Sequence, residues 1–216
     1  MRKSQAHPIC RGQVEQARAP NPWDLTNKIL YDLCRDHPKH IDREAVLAKI
    51  QIIGRVYAAS IERRKNKGEE ETTDSFYLSR VSPLILRSKL DEWIDESRAT
   101  DPDSEGALAV MVKVHNLTTE LFSKISGLNK RSLASKYLHF HVPDLFYIFD
   151  SRAEGAIRQL RSFIGKTRTP IESGDHTYSN FAAKCAFVKS RCKTEFGIKL
   201  STRELDNLLL SVSQDL

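Results

Sequence analysis

The sequence predicts an all-α fold on the basis of three observations. Apolar residues recur at helical spacing along most of the chain. Residues that commonly cap helices precede several of these stretches. No segment shows the alternation of apolar and polar residues, interrupted by tight turns, that is typical of β-hairpins. With 40% hydrophobic and 8% aromatic residues among 216, the chain has enough apolar material for a folded core.

The predicted helices follow one another after residues 1–20, which carry no periodicity and are expected to form a flexible arm. Residues 21–216 are expected to form one helical domain. Asp42 and Asp150 are suited to cap helices, and Ser201 with Glu204 has the pattern of a capping box. The expected helices are Trp23 to Arg35, Asp42 to about Lys67, Ser75 to Arg98 with an interruption at Pro83, Ala107 to about Lys124, Lys130 to about His141, Asp150 to about Ile164, Thr177 to Glu195 and Thr202 to Ser213.

Composition excludes several classes of protein. No apolar run approaches the roughly 18 residues of a membrane span, so we expect no membrane association. The basic amino-terminal residues lack the apolar stretch of a secretory signal, which favours a cytoplasmic protein. The four cysteines show neither a CxxC pair nor zinc-finger spacing, so we expect no metal site and no disulfide framework. The net charge of +6 is consistent with a nucleic-acid partner, although many soluble proteins are equally basic.

The segment most informative about function is residues 125–153, ISGLNKRSLASKYLHFHVPDLFYIFDSRA. It joins two predicted helices through a short turn that contains Gly127 and Asn129. Backbone N–H groups at such a turn and at the next helix start can bind a phosphate. Lys130, Arg131 and Lys136 add positive charge nearby. An ordinary helical hairpin with a solvated basic face would show the same pattern, so the turn alone does not decide.

The second half of this segment places a single carboxylate after an apolar stretch. Residues 145–149 are expected to be buried and extended, and Asp150 follows them at a helix start. A plain helix cap is the simpler interpretation of Asp150 alone. The order of hairpin, short helix, buried stretch and single Asp is more specific than any of its parts.

This order resembles the core of the helix-hairpin-helix DNA glycosylase superfamily. Residues 134–138 look very similar to the matching helix of the oxoguanine glycosylases. The family's Gly-apolar-Gly hairpin corresponds to Gly127, Leu128 and Asn129, and its catalytic Asp to Asp150. The resemblance is tight over residues 121–160. It implies a two-lobed helical fold with the active site between the lobes.

The family also includes members that cleave the DNA strand through a lysine Schiff base. Counting back from Asp150, the position of that lysine falls on Ser132, as in the adenine glycosylases, which hydrolyse the base and stop. Two departures qualify the match: Asn129 replaces the second glycine, and one extra residue follows the turn. Because Lys130 and Arg131 lie close to the lysine position, lyase activity stays open. Only Cys185 and Cys192 lie near the carboxyl terminus, so we expect no iron–sulfur cluster and no other cofactor.

The resemblance implies roles for individual residues. Asp150 would stabilise the positive charge that develops on the sugar and orient the attacking water. Ser132 would hold the water or a phosphate, with a plain first-turn serine as the alternative. A flipped base needs a pocket with flat surfaces and polar groups. The candidate pocket residues are Gln51, Arg55, Tyr57, Tyr178 and Phe181. For Arg55 the alternative is a pair with a nearby acid, and for Tyr178 and Phe181 it is a place in the core.

The candidate DNA contacts come from the hairpin and from the residues that flank the carboxylate. They are Gly127, Asn129, Lys130, Arg131, Lys136, His139 and Arg152. His139 and His141 have no third ligand near them in sequence, which makes a poor metal site.

These observations predict a monomeric, monofunctional glycosylase that acts on double-stranded DNA and leaves an abasic site. Residues 48–64, AKIQIIGRVYAASIERR, also look similar to bacterial proteins linked to phage defence. Some relatives of those proteins resemble glycosylases that remove glucosylated hydroxymethylcytosine, which suggests modified phage DNA as the substrate. Repair of an oxidised or alkylated base is the alternative within this class. A non-catalytic DNA-binding module and a helical protein–protein adaptor are alternatives from other classes.

Overall fold

The computed structural model describes residues 9–66, 71–165 and 174–214, and over these ranges it contains helices and no strand. The all-α prediction is therefore confirmed. A π-helical turn, Tyr77–Val81, joins two of the short helices. The α-helices are α1 (Arg11–Gln16), α2 (Asp24–Asp36), α3 (Arg43–Val56), α4 (Thr73–Phe76), α5 (Ser82–Leu86), α6 (Leu90–Arg98), α7 (Ala107–Ser126), α8 (Arg131–His141), α9 (Ser151–Gln159), α10 (Arg161–Ile164), α11 (His176–Phe196) and α12 (Thr202–Gln214).

The chain divides into two compact units. The central unit is Pro22–Phe146, and the terminal unit combines Met1–Asn21 with Tyr147–Leu216. In the central unit, α8 packs against α2, α3 and α7. In the terminal unit, α9 packs against α10, α11 and α12, and α1 packs against α12.

Residues 9–20, which were predicted to belong to a flexible arm, contain α1, and Ile9, Val14 and Ala17 among them are buried in the terminal unit. Ile9 and Val14 are fully buried, and the Asn207 side chain donates a hydrogen bond to the Ala17 carbonyl over 3.1 Å. A helix as short as α1 gives too few turns for a visible apolar period, which explains why the sequence pattern missed it. The remaining residues of the predicted arm, 1–8, lie outside the described ranges.

The caps predicted at Asp42, Asp150 and Ser201 are confirmed, and the structure adds Asp175. Asp42, Asp150 and Asp175 cap α3, α9 and α11 in the same way, since each carboxylate accepts hydrogen bonds from two backbone N–H groups of the first turn. Ser201 and Glu204 form the reciprocal bonds of a capping box at the start of α12, at 2.7 Å and 3.1 Å.

The predicted helix that follows Asp42 is shorter than expected. It ends at Val56 instead of continuing toward Lys67, because the chain reverses direction and brings Ser60 against Gly54. A Cβ atom on Gly54 would lie 3.2 Å from the Cα of Ser60, and Ala58 has a φ of +51°. The close approach requires a glycine at this position.

Two other predicted helices are divided. The predicted stretch from Ser75 to Arg98 consists of α4, the π-helical turn, α5 and α6, with Pro83 near the start of α5. Since proline has no N–H group, its place is at a helix start and not in a helix interior. The stretch that follows Asp150 is divided at Leu160 into α9 and α10.

The core of the central unit contains a buried polar cluster. His40 Nδ1 lies 2.6 Å from Asp91 Oδ1, and His40 Nε2 lies 2.7 Å from the Tyr137 hydroxyl oxygen. The His141 ring lies against both His40 and Tyr137, with centroid distances of 5.1 Å and 5.0 Å. Neither ring nitrogen of His141 has a hydrogen-bond partner among the described residues. Burial, together with the charge of Lys49, lowers the pKa of His40 to about 4 and that of His141 well below its usual value.

This cluster predicts that acid destabilises the protein. Because the folded-state pKa of both histidines lies below the unfolded value of about 6.5, the unfolded chain binds more protons as the pH falls toward about 4. The free energy of unfolding therefore falls through this window. We expect His141→Phe to raise it by about 1–2 kcal/mol near pH 7, because two buried nitrogens without partners are removed. We also expect the free energy of unfolding of His141→Phe to fall less on acidification than that of wild type. Urea denaturation at a series of pH values measures both.

The exposed His176 supplies the control for this measurement. His176→Phe should leave both the stability and its pH dependence unchanged. Identical pH profiles for wild type and His141→Phe would contradict the role assigned to His141.

Candidate functional site

The predicted hairpin is present between α7 and α8. Gly127 ends α7 with φ +72° and ψ 6°, and its N–H donates to the Ser123 carbonyl over 2.7 Å. The Asn129 side-chain oxygen accepts from the N–H of Arg131 over 2.9 Å, which fixes the entry into α8. Gly127, Leu128 and Asn129 are exposed, while the N–H groups of Gly127 and Leu128 already donate to the Ser123 carbonyl and the Ser126 hydroxyl.

Residues 57–65, which we call the 57–65 segment, pack against the turn. The Lys65 N–H donates to the Ser126 carbonyl over 2.9 Å. A Cβ atom on Gly127 would lie 3.1 Å from the Cβ of Lys65. Both the positive φ and this close packing therefore call for glycine at position 127.

Lys130 joins the hairpin to the 57–65 segment. Its ammonium group is buried and donates to the carbonyls of Ser60, at 2.8 Å, and Arg63, at 2.5 Å. Burial, with the nearby charge of Arg63, lowers the pKa of Lys130 to about 8. The two carbonyls lie outside regular helix, and the lysine supplies the donor that they would otherwise lack.

Lys136 makes a second connection, between helix α8 and the 57–65 segment. Only 3% of the residue is exposed, and its Nζ donates to the Tyr57 carbonyl at 3.2 Å and to the Ser132 hydroxyl at 3.1 Å. The Nζ also lies 5.6 Å from the centroid of the Tyr57 ring. The Tyr57 hydroxyl donates to the Asn27 side chain at 2.6 Å.

These contacts change the interpretation of several predicted residues. Lys130 and Lys136 were expected to contact DNA, and Tyr57 was expected to line a base pocket. In the structure both ammonium groups are inside the protein, where they hold the 57–65 segment. The Tyr57 ring is half-buried against one of them.

His139, another predicted DNA contact, is fully buried. Its Nε2 lies 2.6 Å from the Tyr31 hydroxyl oxygen and its Nδ1 lies 2.8 Å from the Phe146 carbonyl oxygen. Both ring nitrogens are therefore engaged inside the central unit, and a direct phosphate contact by this side chain is not compatible with this arrangement.

Arg55 and Gln51 lie on α3, where they were expected to contribute to a base pocket. Arg55 is exposed and pairs with Glu62, at 3.2 Å, and this hydrogen bond raises the pKa of its guanidinium. Glu62 also accepts from the Tyr77 hydroxyl. The alternative interpretation of Arg55, a pair with a nearby acid, is therefore confirmed. Gln51 is half-buried, and its role in a pocket stays a prediction.

In the terminal unit, Asp150 follows a buried segment, as predicted. Tyr147, Ile148 and Phe149 are each less than a tenth exposed and adopt no regular secondary structure. The half-buried Asp150 accepts at Oδ1 from the N–H of Arg152, at 3.1 Å, and from the N–H of the next residue, at 3.0 Å. The Arg152 side chain is exposed and stays a candidate DNA contact.

Tyr178 and Phe181 pack behind the segment that carries Asp150. The Tyr178 hydroxyl donates to the Tyr147 carbonyl at 3.1 Å, and the rings of Phe181 and Phe149 meet at a centroid distance of 5.1 Å. Both residues are buried, and burial raises the pKa of Tyr178 well above its usual value. Their alternative interpretation, a place in the core, is therefore confirmed.

The structure thus groups the candidate residues by unit. The central unit brings Ser132, Lys136, Lys130 and Tyr57 together around the hairpin, whereas Asp150 belongs to the terminal unit. Sequence reasoning missed the 57–65 segment as the partner of the hairpin. A signal was available in the sequence, because the positions three, four and seven residues after Lys130 are the apolar or aromatic residues Leu133, Ala134 and Tyr137. That spacing places the lysine on the core-facing side.

Comparison of the chain with protein-family models, curated proteins and solved structures finds no match. Among the described residues, no helix is both long and apolar enough to cross a membrane. Over the same ranges, no three His, Cys, Asp or Glu side chains are grouped in a way that could hold a metal ion.

The geometry of the hairpin predicts a cost for any side chain at its turn. Gly127→Ala should lower the free energy of unfolding by about 1–2 kcal/mol, because φ is positive and the new Cβ meets Lys65. Urea denaturation measures this value. In the matched control, Gly155→Ala, the new Cβ meets nothing within 4 Å inside α9, so a small gain is expected. Equal behaviour of the two variants would contradict the packing described for the turn.

Proposed function

We propose that the protein is a DNA glycosylase that hydrolyses the N-glycosidic bond of a modified or damaged base flipped out of duplex DNA. The observation that carries the proposal is the continuous segment 125–153. It contains a helical hairpin turned at Gly127, the buried helix α8, a buried stretch outside regular secondary structure and the half-buried carboxylate of Asp150. These parts occur in the same order as in the helix-hairpin-helix glycosylases that the sequence resembles.

The hairpin is suited to bind a DNA backbone without reading sequence. Its turn is exposed and leads into the start of α8, where the partial positive charge of the helix N-terminus favours a phosphate. The contacts of Lys65 and Lys130 hold the turn in place before any ligand binds. A turn that is ordered in advance loses little conformational entropy when it binds a phosphate.

Asp150 supplies the chemistry in this proposal. Cleavage of an N-glycosidic bond builds positive charge on the sugar, and a nearby carboxylate stabilises that charge. The same carboxylate accepts the proton of the water that attacks C1′, while the electron pair of the broken bond leaves with the base. The two bonds to backbone N–H groups hold the carboxylate in one orientation.

The environment of the lysines supports hydrolysis without a Schiff base. A Schiff base requires a lysine nitrogen that can reach the sugar, whereas the Nζ atoms of Lys130 and Lys136 lie inside the protein and donate to backbone carbonyls of the 57–65 segment. Ser132 occupies the corresponding position and accepts a hydrogen bond from Lys136, so its own hydroxyl proton is available to a water or a phosphate.

The preferred substrate in this proposal is phage DNA with glucosylated hydroxymethylcytosine, and the support for it is the resemblance of residues 48–64 to phage-defence proteins. Excision of an oxidised or alkylated base during repair is the alternative that uses the same chemistry.

A second candidate function, a DNA-binding module without catalysis, has one observation in its favour. Asp150 caps its helix with the same pair of bonds that Asp42 and Asp175 make at theirs. A residue that serves only as a cap needs no further role.

The variant Asp150→Asn separates the two functions. Because Asn caps a helix about as well as Asp, we expect nearly unchanged stability and DNA affinity. We expect at least a 100-fold loss of base excision, because the amide carries no negative charge and accepts no proton. Excision is measured as alkali-dependent nicking of modified duplex DNA.

Asp42→Asn and Asp175→Asn are matched controls, since both replace a capping Asp in the same way. Both should retain full excision activity. Full activity of Asp150→Asn would overturn the catalytic role.

The absence of a Schiff base is tested on the same DNA with borohydride. A monofunctional enzyme should give no covalent protein–DNA complex after reduction. A trapped complex that disappears in Lys130→Met or Lys136→Met would instead establish lyase activity.

A further inference from the structure

The terminal unit contains a cavity of about 330 Å³ that has no part in the glycosylase proposal. Residues of α9, α10 and α11 surround it, and cations dominate its polar lining. The lining residues are Ile157, Arg158, Arg161, Ile164, Gly165 and Lys184.

The charge of this cavity is strongly positive. Arg158 makes one exposed ion pair, at 3.4 Å, with Glu154 of the preceding turn of α9. Arg161 and Lys184 form no salt bridge with any residue of the described ranges. Among the described residues, three cations therefore line one cavity and Glu154 is the acid that pairs with one of them, an excess of positive charge that favours the binding of an anion.

The walls that carry these cations are fixed to each other. α10 ends at Gly165, where φ is +68°, and the Gly165 N–H donates to the Arg161 carbonyl over 2.9 Å. The Arg191 guanidinium of α11 donates to the Phe163 carbonyl and lies 4.5 Å from the centroid of the Phe163 ring. The short helix that carries Arg161 is thus held against α11, which carries Lys184.

The chemistry of the cavity suits an anion that has an apolar part. Guanidinium groups bind phosphate through paired hydrogen bonds, and lysine adds a point charge. Ile157 and Ile164, with 3% and 4% exposure, form the buried apolar part of the lining. On α11, the exposed Phe187 follows Lys184 by one turn and shares its helix face, where it offers a surface for base stacking.

We propose that this cavity is a nucleotide-binding site, in which Arg158, Arg161 and Lys184 bind a phosphate and Phe187 stacks with the adjoining base. The nucleotide is either part of a nucleic-acid strand or free. The site uses neither Asp150 nor the hairpin, so it extends the proposed function without depending on it.

The test compares two double variants that remove the same charges. Arg161→Ala with Lys184→Ala removes cations from the cavity, whereas Arg43→Ala with Lys193→Ala removes exposed cations elsewhere. Binding of fluorescein-labelled single-stranded and duplex oligonucleotides is measured by anisotropy over a salt series. We expect about tenfold weaker binding for the cavity variant near 100 mM salt and a salt slope reduced by about two. The control should change less than twofold.

Competition identifies the source of the phosphate. If dAMP displaces the labelled strand from wild type and not from the cavity variant, the ligand is a free nucleotide. If only unlabelled strands displace it, the ligand is a backbone phosphate, and both results support the site. Equal loss of affinity in the two double variants overturns it. Lys184→Glu, a single change at a half-buried position whose fold is checked by circular dichroism, must weaken binding in the same direction.

The outcomes also separate this site from the proposed function. Binding that depends on the cavity, without base release from any DNA, leaves this inference standing and removes the glycosylase. Base release from DNA, together with equal binding by the two double variants, removes this inference and leaves the glycosylase standing.

Discussion

Buried lysine ammonium groups need oxygen acceptors, and this need fixes the path of the chain in the central unit. Lys49 is fully buried and donates to the carbonyls of His37 and Lys39, at 2.8 Å and 3.0 Å. Lys130 and Lys136 do the same for the 57–65 segment. A buried ammonium group without acceptors would cost several kcal/mol. Because these carbonyls lie outside regular helix, each lysine also satisfies groups that lack a helical partner.

This arrangement gives the hairpin its function in our account. The 57–65 segment lies behind the turn and leaves the backbone of residues 127–129 exposed. A phosphate would therefore meet the exposed turn and the amino-terminal end of α8, and the nearby lysines act from inside the protein. In our proposals, positive charge for a nucleic acid would come from other residues, of which Arg152, Arg158, Arg161 and Lys184 belong to the terminal unit.

Local signals in the sequence predicted the parts of the fold that depend on local chemistry. Asp42 and Asp150 cap helices because their carboxylates reach the nearest N–H groups, and Gly127 turns the hairpin because it tolerates a positive φ. The prediction failed where distant residues decide. Lys130 looked like a surface cation, but its acceptors lie in a segment far away in sequence. The chain reversal at Gly54 likewise depends on contact with Ser60, which helical periodicity does not reveal.

The central claim is that the protein removes a base from DNA, and mass spectrometry of the released products tests it most directly. Wild-type protein would be incubated with duplexes that contain oxoguanine, uracil or alkylated bases, and with phage DNA that carries plain, hydroxymethylated or glucosylated cytosine. The account predicts a free base from at least one of these DNAs, with strand breaks that appear only after alkali. Salt-sensitive binding to the same DNAs without release of any base would contradict it.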